Sequence, residues 1–142
     1  MTIALCHGTF DILHPGHLSV FHQARYLAER VIITLTADPF IDKIEGQPFF
    51  SHWERAEMVR SHADAVYIIW ANNALQPIEP FRPEFFVKGG DYASVDKAGN
   101  LASEKKAVEA YGGRVVLVPH TGHSTSGLVH RIRSSHWQNA QE

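Results

Sequence analysis

The chain has 142 residues, the size of one compact domain with its own core. Apolar residues make up 44%, charged residues 20%, and the formal net charge is −2, which argues against a basic nucleic-acid binder. The single cysteine excludes an intrachain disulfide. The amino terminus lacks the features of a signal peptide, and no window approaches the roughly 18 apolar residues of a membrane span. We therefore expect a cytoplasmic protein that binds neither nucleic acid nor membranes.

Short apolar runs alternate with helical patterns in the first half of the chain. The runs at residues 2–6, 31–37 and 64–70 predict buried strands, and the spacing of apolar residues over 16–30 predicts a helix between the first two. Residues 38–50 hold two prolines and a glycine and predict a loop. Ser51 with Glu54 three residues later forms a capping-box pattern, which predicts a helix from there to about His62.

The second half continues the alternation. Strands are predicted at 84–88 and 114–119, helices at 101–111 and 124–134, a helical turn or two within 72–83, and loops at 89–100 and 120–123. This pattern favours an α/β, Rossmann-like single domain, with a five-stranded parallel sheet covered by helices on both faces. We assign residues 1–135 to this domain and residues 136–142 to a C-terminal tail.

Most aromatic and histidine side chains outside the loops carry no functional pattern. Phe21, Trp53, Tyr67 and Trp70 are predicted to lie in the core rather than to stack on a base. His22, His52, His62, His130 and His136 are predicted to lie on the surface.

In parallel sheets, ligands bind beyond the carboxyl ends of the strands. The first such loop reads Gly8-Thr9-Phe10-Asp11 and ends in His14-Pro15-Gly16-His17 at the start of a helix. Gly8 allows a phosphate to approach the backbone, and the helix start offers N–H groups and a partial positive charge. The two histidines are three residues apart, so both rings can reach one spot and donate hydrogen bonds to phosphate oxygens. A zinc site and a purely structural element are the alternatives.

Two further loops have compositions that suit phosphate binding. Val87-Lys88-Gly89-Gly90-Asp91-Tyr92 brings a mobile positive charge and two glycines, although the same residues also fit a plain turn. Ser124-Thr125-Ser126 opens the last helix, where its hydroxyls either cap the helix or hold phosphate oxygens.

The run GTFDILHPGH resembles the signature of the cytidylyltransferase-like nucleotidyltransferases, whose hallmark is HxGH. VKGGDY and the later YGGRVV are similar to the heptose-phosphate adenylyltransferase branch, whereas glycerol-3-phosphate cytidylyltransferases usually differ at the first of these. The STS element also matches, but the RTEG that often precedes it is replaced by PHTG, without the arginine. Class I aminoacyl-tRNA synthetases share HxGH but are much longer. The resemblance runs from about residue 3 to about residue 133.

The resemblance implies transfer of a nucleoside monophosphate from a triphosphate to a phosphorylated acceptor. His14, His17 and Lys43 would be catalytic. The nucleotide would be bound by those two histidines together with Gly8, Thr9, Phe10, Gly16, Lys88, Gly90, Asp91, Ser124, Thr125 and Ser126. Asp11, Asp38 and Arg55 would contact the acceptor, Asp11 alternatively orienting its loop.

Three functions stay open at this point. The first is transfer of AMP from ATP to a heptose 1-phosphate or similar sugar phosphate, with a sugar kinase on a separate chain. The second is a CTP-dependent cytidylyltransferase acting on glycerol 3-phosphate or another polyol phosphate. The third is a nucleotide-binding module without catalysis. Mg²⁺ is expected as the partner of the triphosphate, with no protein ligand assigned to it, and relatives commonly form homodimers.

Overall fold

The computed structural model describes residues 1–90 and 100–134. The five strands are β1 Ile3–Gly8, β2 Arg30–Thr36, β3 Ala65–Ile69, β4 Phe85–Gly89 and β5 Arg114–Val118. The five α-helices in this part of the chain are α1 Pro15–Leu27, α2 His52–Val59, α3 Leu75–Phe81, α4 Leu101–Glu109 and α5 Thr125–Ser134. Short 3₁₀ turns cover Asp38–Phe40 and Arg60–His62. The predicted elements are present, with their ends shifted by a few residues.

The strands form one parallel sheet in the order β3-β2-β1-β4-β5. β1 is central, and its Leu5 pairs with Ile32 of β2 on one side and Phe86 of β4 on the other. The chain runs from β1 outward to β3 and then returns past β1 to β4, so the strand order reverses between β1 and β4. This is the switch point where ligands bind in open parallel sheets. The fold therefore places the candidate site at the carboxyl ends of β1 and β4.

Helices cover both faces of the sheet. Neighbouring residues on a strand face opposite sides, so each strand contributes to two clusters. Ala4 and Cys6 of β1 pack in one cluster with Phe21 of α1 and Val59 of α2. Leu5, between them, packs in a second cluster with residues of α3 and α4. This arrangement confirms the predicted helices on both faces. It also explains why the strands read as continuous apolar runs rather than as alternating ones.

The predicted start of α2 is confirmed in detail. The Glu54 N–H donates to Ser51 Oγ at 3.2 Å, and the Ser51 N–H donates to Glu54 Oε1 at 3.0 Å. The proline-rich stretch forms the short helix α3, which ends at Arg82 in a left-handed conformation.

The predictions for several aromatic and histidine side chains are wrong. Phe21 is buried as expected, but Trp53 is 71% exposed, Tyr67 45% and Trp70 56%. Tyr67 lies on β3, an edge strand of the sheet. His52, predicted on the surface, is buried at the start of α2, where its Nδ1 accepts from the Asp38 N–H at 3.2 Å. Within the described ranges, none of the helices combines the length and apolar character that a bilayer crossing requires.

Candidate active site

An open cavity of about 620 Å³ lies at the carboxyl ends of β1, β4 and β5. This volume is in the range of small-molecule sites. Most of the predicted site residues line it: Gly8, Thr9, Phe10, Asp11, His14, Gly16, His17, Lys43, Lys88, Gly90, Ser124, Thr125 and Ser126. Asp38 and Arg55 do not line it, and Asp91 lies outside the described residues. Four loops that are distant in sequence thus converge on one space.

His14 is the N-cap of α1, and its ring is held by the backbone. Its Nδ1 accepts a hydrogen bond from the Gly16 N–H at 3.0 Å. Because Nδ1 is the acceptor, a neutral ring carries its proton on Nε2. Burial lowers the pKa of His14, and the neighbouring His123 and His120 lower it further. His14 therefore offers a neutral N–H donor to a ligand in the cavity.

His17 packs tightly beside His14. The two ring centroids are 3.8 Å apart with an interplanar angle of 25°, and Phe10 contacts His17 edge-on at 5.2 Å. Its Nδ1 is buried without a hydrogen-bond partner. Burial, with a smaller contribution from His14, lowers the pKa of His17 to about 4. The ring is therefore neutral near pH 7, and Nε2 is the nitrogen through which it can meet a ligand.

The start of α1 differs from the prediction in one respect. The Gly16 N–H is taken by His14 Nδ1, and the N–H groups of His17 and Leu18 donate to the His14 carbonyl oxygen. Pro15 has no N–H. The backbone donors expected to hold phosphate here are thus already used by His14. The imidazoles are the donors that this element presents.

Gly16 is required by this cap. A Cβ at position 16 would lie 2.7 Å from His14 Cε1 and 2.9 Å from its Nδ1. We expect Gly16→Ala to rotate the His14 ring and lower turnover about a hundredfold, since misplacing a reacting group by about 1 Å has this effect. Stability should change little, because loss of a cap of about 1 kcal/mol is offset by the better helix propensity of alanine. Steady-state kinetics beside thermal unfolding test this, and unchanged turnover would contradict it.

Phe10 packs against His17 of the histidine pair. Its φ of 51° is in the left-handed region, which is unusual for a residue other than glycine. The ring is buried against Phe21 and lies so close to Gly8 that a Cβ there would be 3.0 Å from Phe10 Cζ. Backbone strain of this kind is concentrated at functional sites. The sequence Gly8-Thr9-Phe10 thus fixes the Phe10 ring that packs against His17.

Lys88, near the end of β4, lines the cavity, and its ammonium group forms an ion pair with Glu104. Its Nζ lies 3.1 Å from Oε1 of Glu104, which is fully buried on α4. The other Glu104 oxygen accepts from the Ala74 N–H at 2.6 Å, at the start of α3. Glu104 therefore ties the lysine to the scaffold and balances part of its charge.

Lys43 lies in the loop between β2 and α2, which Asp11 fastens to the histidine loop. The carboxylate of Asp11 is 1% exposed and accepts from the Phe49 N–H at 2.8 Å and the Phe50 N–H at 2.9 Å. Both oxygens are thus occupied within the protein. This geometry fits the alternative prediction that Asp11 orients its loop.

Arg55, predicted to contact the acceptor, lies in the interior and outside the cavity lining. Its side chain is fully buried and donates to three carbonyl oxygens, those of Thr9, Thr36 and Phe50, and to the carboxylate of Asp38. A guanidinium with five donors can satisfy such a set. Asp38 is likewise engaged by this guanidinium and lies outside the cavity lining. Both residues join the loops that carry the site.

Three histidines of the cavity were not assigned a role from the sequence. His7 ends β1, and its Nδ1 lies 2.9 Å from Thr34 Oγ1. Burial lowers the pKa of His7 to about 3, with Lys88 and Lys43 adding to the effect. His120 and His123 line the cavity from the loop after β5. Their position at or after the carboxyl ends of predicted parallel strands was the sequence feature that could have indicated a place in the site.

These pKa shifts predict a pH dependence of stability. In the unfolded chain each histidine titrates near about 6.5. His7 and His17 stay neutral in the fold down to about 3 and about 4. The unfolded state thus binds more protons below about pH 6.5, so stability falls as the pH falls toward 4, by at most about 1.4 kcal/mol per pH unit for each group. Urea unfolding of wild type and His17→Gln at about pH 7 and about pH 4.5 checks this. The variant should lose less stability, and equal losses would contradict the prediction.

The described lining does not offer a ligand set for Mg²⁺. No group of three or more His, Cys, Asp or Glu residues suited to a metal is present in residues 1–90 and 100–134. The Asp11 carboxylate accepts two backbone hydrogen bonds, and the remaining polar groups are mainly donors. No step is therefore assigned to a protein-bound metal.

An open parallel sheet with a cavity of hydrogen-bond donors at its switch point is the arrangement in which α/β proteins bind small-molecule ligands. The family model described as cytidylyltransferase-like matches residues 5–133. The chain belongs to this family and is a nucleotidyltransferase.

Curated relatives are similar over almost all of this chain. It is 37% identical over 139 residues to a bifunctional protein HldE of Bradyrhizobium sp. (strain ORS 278), covering 94% of this chain and 27% of the relative. It is 35% identical over 136 residues to the protein of the same name from Hyphomonas neptunium, covering 92% and 27%. The chain thus spans about a quarter of the length of the relatives it matches.

Solved structures share the fold. A lipopolysaccharide core biosynthesis protein from Thermoplasma volcanium superposes with a TM-score of 0.66 at 17% identity, covering 87% of this chain and 99% of that one. Pantothenate synthetase from Thermus thermophilus superposes with a TM-score of 0.56 at 16% identity, covering 84% and 56%. At these identities the likeness concerns the fold alone.

Proposed function

We propose that this nucleotidyltransferase transfers AMP from ATP to a sugar 1-phosphate of the heptose type and releases pyrophosphate. The observation that carries the proposal is the convergence of two neutral imidazoles and two lysines on one cavity at the switch point. The heptose-type acceptor rests on the VKGGDY loop, and the similarity to proteins named HldE supports the same branch.

In the proposed reaction an oxygen of the acceptor phosphate attacks the α-phosphorus of ATP. The new P–O bond forms as the bond to the β-phosphate oxygen breaks, and pyrophosphate leaves with that electron pair. Negative charge accumulates on the oxygens around the α- and β-phosphorus. The protein contributes positioning and charge stabilisation, which is how phosphoryl transfer is generally catalysed.

The residues divide this work by position. His14 and His17 donate from Nε2 to the transferring group, and Lys43 faces the same space from the loop after β2. At α5 the Gly127 N–H donates to Ser124 Oγ, and the Leu128 N–H donates to the Ser124 carbonyl. The first N–H groups of a helix have no partner within it, so those of Thr125 and Ser126 suit the outer phosphates. Mg²⁺ would enter bound to the triphosphate.

The test is pyrophosphate release from ATP, CTP, GTP and UTP, each combined with a heptose 1-phosphate, other sugar 1-phosphates or glycerol 3-phosphate, in the presence of Mg²⁺. Release with ATP and a sugar 1-phosphate is expected. Release with CTP and glycerol 3-phosphate would overturn the choice of donor and acceptor in favour of the polyol cytidylyltransferase. Nucleotide binding without release from any pair would favour a binding module.

A further inference from the structure

We propose that His120 and His123 form a second histidine pair that binds the outer phosphates of the nucleotide and strengthens that binding as the pH falls. The inference rests on the proposed function and adds a residue pair and a pH response to it. The first observation is a repeat in the sequence: His120-Thr121-Gly122-His123 has the same HxGH pattern as His14-Pro15-Gly16-His17.

The repeat extends to one hydrogen bond, although Gly16 lies in α1 and Gly122 in a left-handed turn. His120 Nδ1 accepts from the Gly122 N–H at 2.9 Å, just as His14 Nδ1 accepts from the Gly16 N–H at 3.0 Å. Gly122 has a φ of 84°, a left-handed conformation that favours glycine. The neutral His120 ring therefore carries its proton on Nε2, as His14 does. Each HxG turn fixes one imidazole with its donor free for a ligand.

The two pairs lie on the same cavity. His123 faces His14 with ring centroids 6.5 Å apart and an interplanar angle of 25°, and all four histidines line the space. The Nδ1 of His123 lies 3.2 Å from Thr121 Oγ1, which leaves its Nε2 for a ligand. The second pair directly precedes Ser124 at the start of α5. It therefore stands beside the helix start that suits the outer phosphates.

The charges around this pair explain the pH response. His14 and His17 face it from the first loop, Lys43 from the loop after β2, and Lys88, paired with Glu104, from β4. The carboxylate of Asp11 is occupied by two backbone N–H groups. A histidine gains its charge within the physiological pH range, and a bound polyphosphate favours that gain.

The experiment measures binding of inorganic tripolyphosphate by calorimetry at about pH 6 and about pH 8. The wild type is compared with His120→Gln/His123→Gln and with His120→Arg. The double variant should bind at least about tenfold more weakly at the lower pH and lose most of the pH dependence, because hydrogen bonds to charged groups are removed. His120→Arg should bind more tightly than wild type at the higher pH. Tripolyphosphate itself changes its protonation between the two pH values, but this change is the same for the wild type and every variant and cancels when they are compared.

His130→Gln is the matched control, since this exposed histidine lies on α5 outside the cavity lining. It should leave binding and its pH dependence unchanged. A double variant with the affinity and pH dependence of wild type would overturn the inference, as would an equal loss in His130→Gln. Tripolyphosphate carries neither base nor acceptor. Failure to find a reacting acceptor would therefore count against the proposed function and leave this test intact.

Discussion

Replacement of His17 by alanine is expected to lower turnover by about a hundredfold to a thousandfold, which corresponds to about 2.7–4 kcal/mol of lost transition-state stabilisation. The ring is neutral near pH 7 and its Nδ1 is buried, so Nε2 is the atom that can donate to charge developing on the phosphates. A donor fixed by packing against His14 and Phe10 does not need to reorganise as that charge develops. Alanine cannot donate this hydrogen bond.

The measurement is kcat for pyrophosphate release, with circular dichroism and thermal unfolding as checks of the fold. The matched control is His22→Ala, because His22 lies on the same helix, is exposed and is absent from the cavity lining. The control should retain wild-type turnover. The backbone bonds that cap α1 belong to His14, so the His17 variant should still fold. Near-normal turnover in a folded His17 variant would contradict the role assigned to this residue.

The elements of the fold were predictable because each carries a local signal. Leu5, Ile32 and Phe86 lie in apolar runs ended by glycine or polar loops, which is how strands buried on both faces read. The capping box at Ser51 marked the start of α2 to the residue. Because parallel strands end at one edge, the loops that hold His14, Lys88 and Ser124 could be assigned to a common site before any coordinates.

What could not be predicted depends on side-chain partners that are distant in sequence. Nothing local to Glu104 indicates that it will be fully buried between Lys88 and the start of α3. The cap formed by His14 is local, but its consequence for the N–H groups of α1 depends on the orientation of the ring. Trp53 on α2 and Trp70 directly after the edge strand β3 are large and apolar, yet both are exposed. Sequence pattern predicts elements better than it predicts pairings between them.

Arg55 shows this most clearly, and its replacement by methionine is expected to destabilise the protein by about 3–5 kcal/mol. Methionine retains much of the apolar volume of arginine but none of its donors. The carbonyl oxygens of Thr9, Thr36 and Phe50 would then lose a partner, and the Asp38 carboxylate would lose its guanidinium. Much of the expected loss comes from the carbonyl oxygens left without a donor, at about 1–3 kcal/mol for each buried group, since the Asp38 side chain is 30% exposed and keeps access to water.

Arg60→Met is the matched control, since Arg60 belongs to the turn that follows the same helix. Its ion pair with Glu57 spans 3.5 Å between side chains that are 69% and 72% exposed, so its loss should change stability by less than about 1 kcal/mol. Urea unfolding measures both variants.

If Arg55→Met fails to fold, Arg55→Lys is the second variant. Lysine keeps the charge but has fewer donors, so this variant should still be less stable than wild type. An Arg55 variant of unchanged stability with a raised KM for the acceptor would support the predicted role in substrate binding. A loss of stability without that rise in KM assigns Arg55 to the framework that joins the β1 and β2 loops beneath the site.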